Sequence, residues 1–289
     1  MREQVTIGLV QMAMGDDREA NIEKAFAMAR TAREQGAELI VLPELFSGIY
    51  FCKYPGARRY NAWAEPVPDG PLSSRLAKLA RELEAVVVAS VYEFVQDGLY
   101  FNTAVVYERD GSYLGKSRKM HIPETGPGYQ EKYYFAPGDS DYPVFRTSLI
   151  DLAVPTCWDQ WYPEVARLAR LKGADLVVYP TCIGDEPAEP DLDTSDPWQI
   201  VMRGHAVANS IYVAACNRVG VEDGQGFYGR SFVSDPNGAK IGEAGRGTEE
   251  VVVAALSRET LRQVRDCSQF LRDRRPESYG GLLQRCIEE

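Results

Sequence analysis

The 289-residue sequence predicts an α/β fold, a four-layer αββα sandwich built from two related halves. Three repeated patterns carry this expectation. The run Gly36-Ala37-Glu38-Leu39-Ile40-Val41-Leu42-Pro43 returns as Gly173-Ala174-Asp175-Leu176-Val177-Val178-Tyr179-Pro180. Ala85 to Ser90 corresponds to Ile211 to Cys216, and Phe101 to Leu114 corresponds to Phe227 to Ile241. Three segments matching in the same order mark an internal repeat. Two halves that each alternate strands with helices place two sheets face to face with helices outside.

In chain order, Met1 to Val5 leads directly into a strand-like pattern. An amphipathic helix follows over about 17 to 35, with Ile22, Ala25, Phe26 and Ala29 at helical spacing. Next come the buried strand ending at Pro43, a helical stretch over 71 to 84, and the strand 85 to 90. The first hairpin turns at Asp110-Gly111 and its counterpart at Asn237-Gly238, dipeptides that supply the positive φ of tight turns. A largely apolar run, Leu149 to Thr156, breaks at Cys157-Trp158-Asp159-Gln160-Trp161-Tyr162-Pro163-Glu164, and a helix is expected over about 163 to 172. The last helical stretch of the repeat, 197 to 210, precedes the strand 211 to 216.

Composition narrows the function. Asp plus Glu exceeds Lys plus Arg, 42 against 32, for a net charge of −10, which disfavours a nucleic-acid-binding groove and suits a cationic small substrate. The start lacks the basic and apolar regions of a signal peptide, and no run reaches the roughly 18 apolar residues of a membrane span. A cytoplasmic protein is expected, without membrane association. The six cysteines, at 52, 157, 182, 216, 267 and 286, are irregularly spaced and read as reduced thiols. Two histidines and no CxxC pair make a zinc site unexpected.

Cys157 sits at a strand-to-helix corner, where the following amide can face a developing oxyanion and the helix N-terminus favours a thiolate. Glu44 ends a buried strand, which places a carboxylate where a base is needed. Lys119, after the first hairpin, can bring a fixed positive charge to an oxyanion, with a loss of about 10²-fold or more if removed. A serine triad lacks its Gly-x-Ser-x-Gly elbow, while a Cys–His pair using His121 or His205 stays open.

In their local contexts Glu44, Lys119 and Cys157 resemble the Glu-Lys-Cys triad of the nitrilase superfamily of carbon-nitrogen hydrolases. The similarity runs from about Val5 to Tyr279, through residues 44–52, 119–139, 157–164 and 270–280. It implies one hydrolase domain over 1–289, with a core at about 5–257. It also implies Glu131 as an additional glutamate beside the triad, an αββα fold, no cofactor or metal, and a homo-oligomer. Its dimer contacts would run through helices and the C-terminal segment, about 258–289. The expected chemistry is acyl transfer through a thioester on Cys157, with the Trp158 amide and Lys119 stabilising the oxyanion.

For substrate, the segments most resemble members that act on carbamoylated amines. Members acting on carbamoylated amino acids place an arginine after the nucleophile motif, where this chain has Gln160 and Trp161. Glu124, Asp185 and Glu186 are candidate partners for a substrate ammonium, and Tyr50, Tyr54 and Trp158 for lining an aliphatic stem. An aliphatic amidase, a true nitrilase and a catalytically silent binding subunit are the alternatives. Two departures from the superfamily pattern stand on the nucleophile strand. Ile150 replaces a turn glycine, and Pro155 lacks a ladder N–H and is expected to shift Cys157.

Overall fold

The computed structural model describes residues 1–287. The chain runs β1 (Gln4–Gln11), α1 (Arg18–Glu34), β2 (Leu39–Val41), α2 (Pro71–Leu83), β3 (Val86–Gln96), β4 (Leu99–Tyr107), β5 (Tyr113–Arg118), β6 (Val144–Arg146) and β7 (Asp151–Ala153). It continues with α3 (Pro163–Leu171), β8 (Leu176–Thr181), α4 (Ser195–Asn209), β9 (Tyr212–Asn217), β10 (Val219–Glu222), β11 (Gln225–Tyr228), β12 (Phe232–Ser234), β13 (Lys240–Glu243), β14 (Glu250–Ser257) and α5 (Arg258–Ser268). Local chemistry explains the helix starts. The Asp17 carboxylate accepts the Glu19 and Ala20 amides at the head of α1, and α2 and α3 each begin with a proline, whose missing N–H costs nothing there.

The sheets are built alike. One has the order β14-β1-β2-β3-β4-β5 and the other β6-β7-β8-β9-β12-β13. In each a parallel trio, β1-β2-β3 or β7-β8-β9, is flanked by antiparallel strands on both sides. The repeat read from sequence is therefore a repeat of topology. The halves differ in that β14 closes the first sheet from the far end of the chain, whereas β6 directly precedes β7, and in the β10–β11 ribbon inserted between β9 and β12.

Between the sheets, Ile7, Leu39, Val41 and Val88 share one buried cluster with Leu152, Leu176, Val178 and Ala214. Each such side chain contributes about 1.5–3 kcal/mol on full burial. The outer face of the first sheet packs under α1 and α2 through Phe26, Leu76 and Ile40, and that of the second under α3 and α4 through Ala169, Trp198 and Met202. Four layers result, in the order helix, sheet, sheet, helix. No helix among the described residues is long and apolar enough to cross a membrane.

Three local expectations change. The second hairpin is β12–β13; Phe227 belongs to β11, which pairs with β10 in a separate ribbon. Gly229 and Arg230 adopt left-handed φ of 70° and 58°, and this interrupts the strand between them. Pro155 removes no ladder bond, because β7 ends at Ala153. Ile150 needs no glycine, since it does not take a left-handed φ and its N–H donates to Thr147 Oγ1 at 3.0 Å.

Candidate active site

The trailing ends of β2 and β8 meet where the sheets face each other, and the Glu44 N–H donates to the Thr181 carbonyl at 3.4 Å. Carboxyl ends of parallel strands are where open α/β sheets expose groups to ligands. Glu44 follows β2 past Leu42 and Pro43 and is fully buried. Its Oε1 accepts from Asn102 Nδ2 at 2.6 Å and from Lys119 Nζ at 2.8 Å, while Oε2 accepts no hydrogen bond. Lys119 lies one residue past β5, and its N–H donates to the Asn102 carbonyl at 2.8 Å, so the first hairpin delivers both partners of Glu44.

Glu131 opens a 3₁₀ turn, Glu131–Tyr133, and takes the same ammonium on both oxygens, at 2.8 and 2.7 Å. Tyr50 donates its hydroxyl to Glu131 Oε1 at 2.9 Å. Cys157 begins the 3₁₀ turn Cys157–Trp161 with φ of 45°, and its thiol donates to the Cys182 carbonyl at 3.7 Å. As the second residue of that turn, Trp158 presents an N–H with no acceptor inside it.

Burial dominates the electrostatics. It disfavours the Lys119 ammonium, but Glu131 and then Glu44 outweigh it and hold the amine well above its usual range. Burial pushes the Glu131 carboxyl up to about 7; Lys119 opposes the rise and Glu44 adds to it. Burial and then Glu44 raise the Cys157 thiol well above its usual range, with Lys119 only partly offsetting them. The resting sulfur is thus a thiol, not the thiolate expected from a helix N-terminus. The 3₁₀ turn separates Cys157 from α3, and burial, followed by the Glu44 carboxylate, outweighs the Lys119 ammonium. A protonated nucleophile needs an adjacent base.

The candidate substrate residues divide. Trp158 is half-buried, packs edge-on to Trp161 at 6.3 Å, and lines a cleft of about 440 Å³ with Met120, Ile122, Lys132 and Phe135. Tyr50 is fully buried and spends its hydroxyl on Glu131, so it orients that carboxylate and is not an open wall. Tyr54 is not brought to Cys157; its hydroxyl donates to Asp223 at 2.7 Å and it lines another, smaller pocket with Lys53 and Val221. Glu124 is exposed, 3.9 Å from Lys132. Asp185 is exposed too, and its backbone is bound by Gly226 and the Tyr129 hydroxyl. Glu186 differs: it is half-buried, burial raises its carboxyl, and it has no ion-pair partner among the described residues. The Tyr228 ring packs on Trp198 at 5.6 Å.

Sequence reasoning missed two groups. Asn102 sits inside an ordinary strand pattern that gives no sign of its contact with Glu44. Asp159 is fully buried and accepts the Thr156 N–H at 3.1 Å, the Met120 N–H at 3.4 Å and the His121 N–H at 3.0 Å. One carboxylate therefore ties the residue before Cys157 to the residues after Lys119. Its signal was present, since Thr156-x-x-Asp159 has the spacing of a capping box. The histidines lie elsewhere: His121 holds Asp159 at 2.7 Å and stacks on Tyr162, and His205 Nε2 holds the Gln160 carbonyl at 2.9 Å. Neither hydrogen bonds Cys157, which closes the Cys–His alternative. Gln160 is turned toward β8, where its Oε1 accepts from Thr181 Oγ1 at 3.1 Å.

An αββα sandwich with an acid, an ammonium and a thiol enclosed at paired strand ends has the architecture of a hydrolase for unactivated carbon–nitrogen bonds. Residues 6–266 match the carbon-nitrogen hydrolase family, and the chain belongs to it: it is an enzyme acting on carbon–nitrogen bonds other than peptide bonds. It is 41% identical to an N-carbamoylputrescine amidase of Solanum lycopersicum, over 96% of this chain and 95% of that protein. It is also 39% identical to a citrullinase of Francisella tularensis, over 97% and 99% of the two chains. Among solved structures, a carbon-nitrogen hydrolase from Helicobacter pylori G27 superimposes with a TM-score of 0.90, at 36% identity, covering 98% of this chain and 99% of that one.

Proposed function

We propose that the protein hydrolyses N-carbamoylputrescine to putrescine, carbon dioxide and ammonia through a carbamoyl-thioester on Cys157. The observation that carries this reading is the enclosure of Cys157 with Glu44, Lys119 and Glu131, in which Glu44 Oε2 is left without a hydrogen bond. Glu44 takes the thiol proton, and the sulfur attacks the carbamoyl carbon. Lys119 and the Trp158 N–H stabilise the oxyanion, a kind of contact worth about 3–4 kcal/mol in comparable sites. The intermediate collapses by breaking the bond to the substituted nitrogen, which leaves as putrescine with the proton held by Glu44. Water then gives a proton to Glu44 and adds to the thioester, with Glu131 orienting it. Expulsion of the sulfur, which regains its proton, releases carbamate, and carbamate breaks down to carbon dioxide and ammonia.

The substrate follows from charge. Glu186, half-buried and without an ion-pair partner among the described residues, suits the terminal ammonium, and Trp158 offers apolar surface. The similarity to N-carbamoylputrescine amidases supports the same choice. The citrullinase similarity favours a second reading, since citrulline carries the same carbamoyl head on an amino acid and so adds a carboxylate. Ammonia release measured on N-carbamoylputrescine, a simple aliphatic amide and a nitrile tests the reaction class. Turnover of the amide or nitrile in preference to the carbamoyl compound would overturn it, and release from none of them would favour a silent binding subunit.

We also infer a cytoplasmic homo-oligomer. Exposed Phe270, Leu271, Leu282, Leu283 and Ile287 concentrate apolar surface on the C-terminal segment, and Leu282 and Tyr279 border a groove against α3 and α4. Residues 288 and 289 of that segment lie outside the described residues.

A further inference from the structure

Arg218 stands at the junction of β9 and β10, and its side chain is fully buried. Its guanidinium is committed to four acceptors. Nη1 donates to Glu222 Oε1 at 2.6 Å and to the Gly48 carbonyl at 3.4 Å; Nη2 donates to the Glu44 carbonyl at 2.9 Å and to the Leu45 carbonyl at 3.3 Å. Leu45 has φ of 49°, a left-handed conformation disfavoured for a branched side chain. That conformation brings two successive carbonyls onto one cation, and the first of them belongs to Glu44.

The contacts continue through Glu222. Its Oε2 accepts the Tyr50 N–H at 2.5 Å, Tyr50 donates its hydroxyl to Glu131, and Glu131 binds Lys119, which binds Glu44. Arg218, Glu222, Tyr50, Glu131, Lys119 and Glu44 thus form a closed ring, its last link running from the Glu44 carbonyl back to Arg218. A buried ion pair is a poor device for stability alone, because desolvation consumes much of its Coulomb energy. As a geometric anchor it is well suited, since a planar cation fixes several acceptors in direction as well as distance.

We propose that Arg218, with Glu222, is a positioning residue for the reaction. It holds Glu44 at Cys157 through the backbone of residues 44 to 48, and it holds Glu131 through Tyr50. The proposal rests on the reading of Glu44 as the base for Cys157, but not on the identity of the substrate.

The test is the rate of Cys157 alkylation by iodoacetamide, with kcat and KM on N-carbamoylputrescine alongside. It compares wild type, Arg218→Lys, Glu222→Gln, Glu44→Gln and each of the first two combined with Glu44→Gln. A misplaced base should slow alkylation and kcat by about tenfold or more, with KM within about twofold. In the Glu44→Gln background neither substitution should slow alkylation further, because there is no base left to misplace. Wild-type alkylation rates in the folded single variants overturn the proposal, as does an undiminished further loss beside Glu44→Gln. If Arg218→Lys fails to fold, the isosteric Glu222→Gln carries the test alone. A wild-type enzyme that alkylates normally but ignores N-carbamoylputrescine would count against the substrate and leave this proposal decided by the alkylation rates.

Discussion

Cys157 and Cys182 are both buried thiols, and their separate fates show how little a cysteine's burial says about its use. Cys157 opens a turn with a left-handed φ and faces three charged groups, whereas Cys182 contributes its carbonyl to the Cys157 thiol. Cys157→Ala should lower kcat by about 10⁴-fold or more, and Cys182→Ala should leave turnover within about tenfold. Steady-state ammonia release distinguishes them. Glu131 gives a second prediction. Its folded value of about 7 lies above the ordinary 4.5, so from pH 4.5 to 7 the folded chain keeps a proton that the unfolded chain has lost. Its contribution to stability is present below that window and is lost as pH rises through it. Urea unfolding at pH 5 and pH 8 should show this loss in wild type and a smaller one in Glu131→Gln. At this scale the sequence was readable wherever a reactive side chain interrupts an apolar run, as at Cys157 and Glu44. Tyr50 and Tyr54 were not separable, because aromatic type and spacing do not say which hydroxyl meets Glu131 and which meets Asp223.

The two turns that carry the site, at residues 44 to 48 and 157 to 161, are short irregular pieces held by buried charges rather than by regular pairing. Asp159 binds three backbone N–H groups from two segments, so Asp159→Ala leaves buried donors unpaired and should cost at least about 2 kcal/mol in chemical denaturation. A loss under about 0.5 kcal/mol would mean that the turn does not depend on it. The helices were evident from periodicity, since α1 to α4 fall within a residue or two of their expected bounds. The shortness of β7 and the ribbon β10–β11 were not. An apolar run records burial without recording pairing, so Leu149 to Thr156 read as a longer strand than the three residues, Asp151–Ala153, that pair with β6.

Across the whole molecule, duplication explains why the site lies where it does. The halves meet with β2 and β8 end to end across the sandwich, and Glu44 and Cys157 reach one enclosure from opposite sheets. The repeat predicted the facing sheets but not which residues close the enclosure, because Cys157, Lys119 and Glu131 arrive on segments outside the repeated strands. The exposed apolar side chains of the C-terminal segment lead us to expect light scattering to give a mass at least twice 32.2 kDa, and a value of 32.2 kDa would remove the case for an oligomer. The surplus of acidic groups, and Glu186 without an ion-pair partner among the described residues, bear on the substrate. The most direct measurement is kcat/KM for ammonia release from N-carbamoylputrescine against citrulline, which share the carbamoyl head and differ in the carboxylate. A preference for the amine of at least about 10²-fold is predicted, and equal or greater efficiency on citrulline would contradict the account.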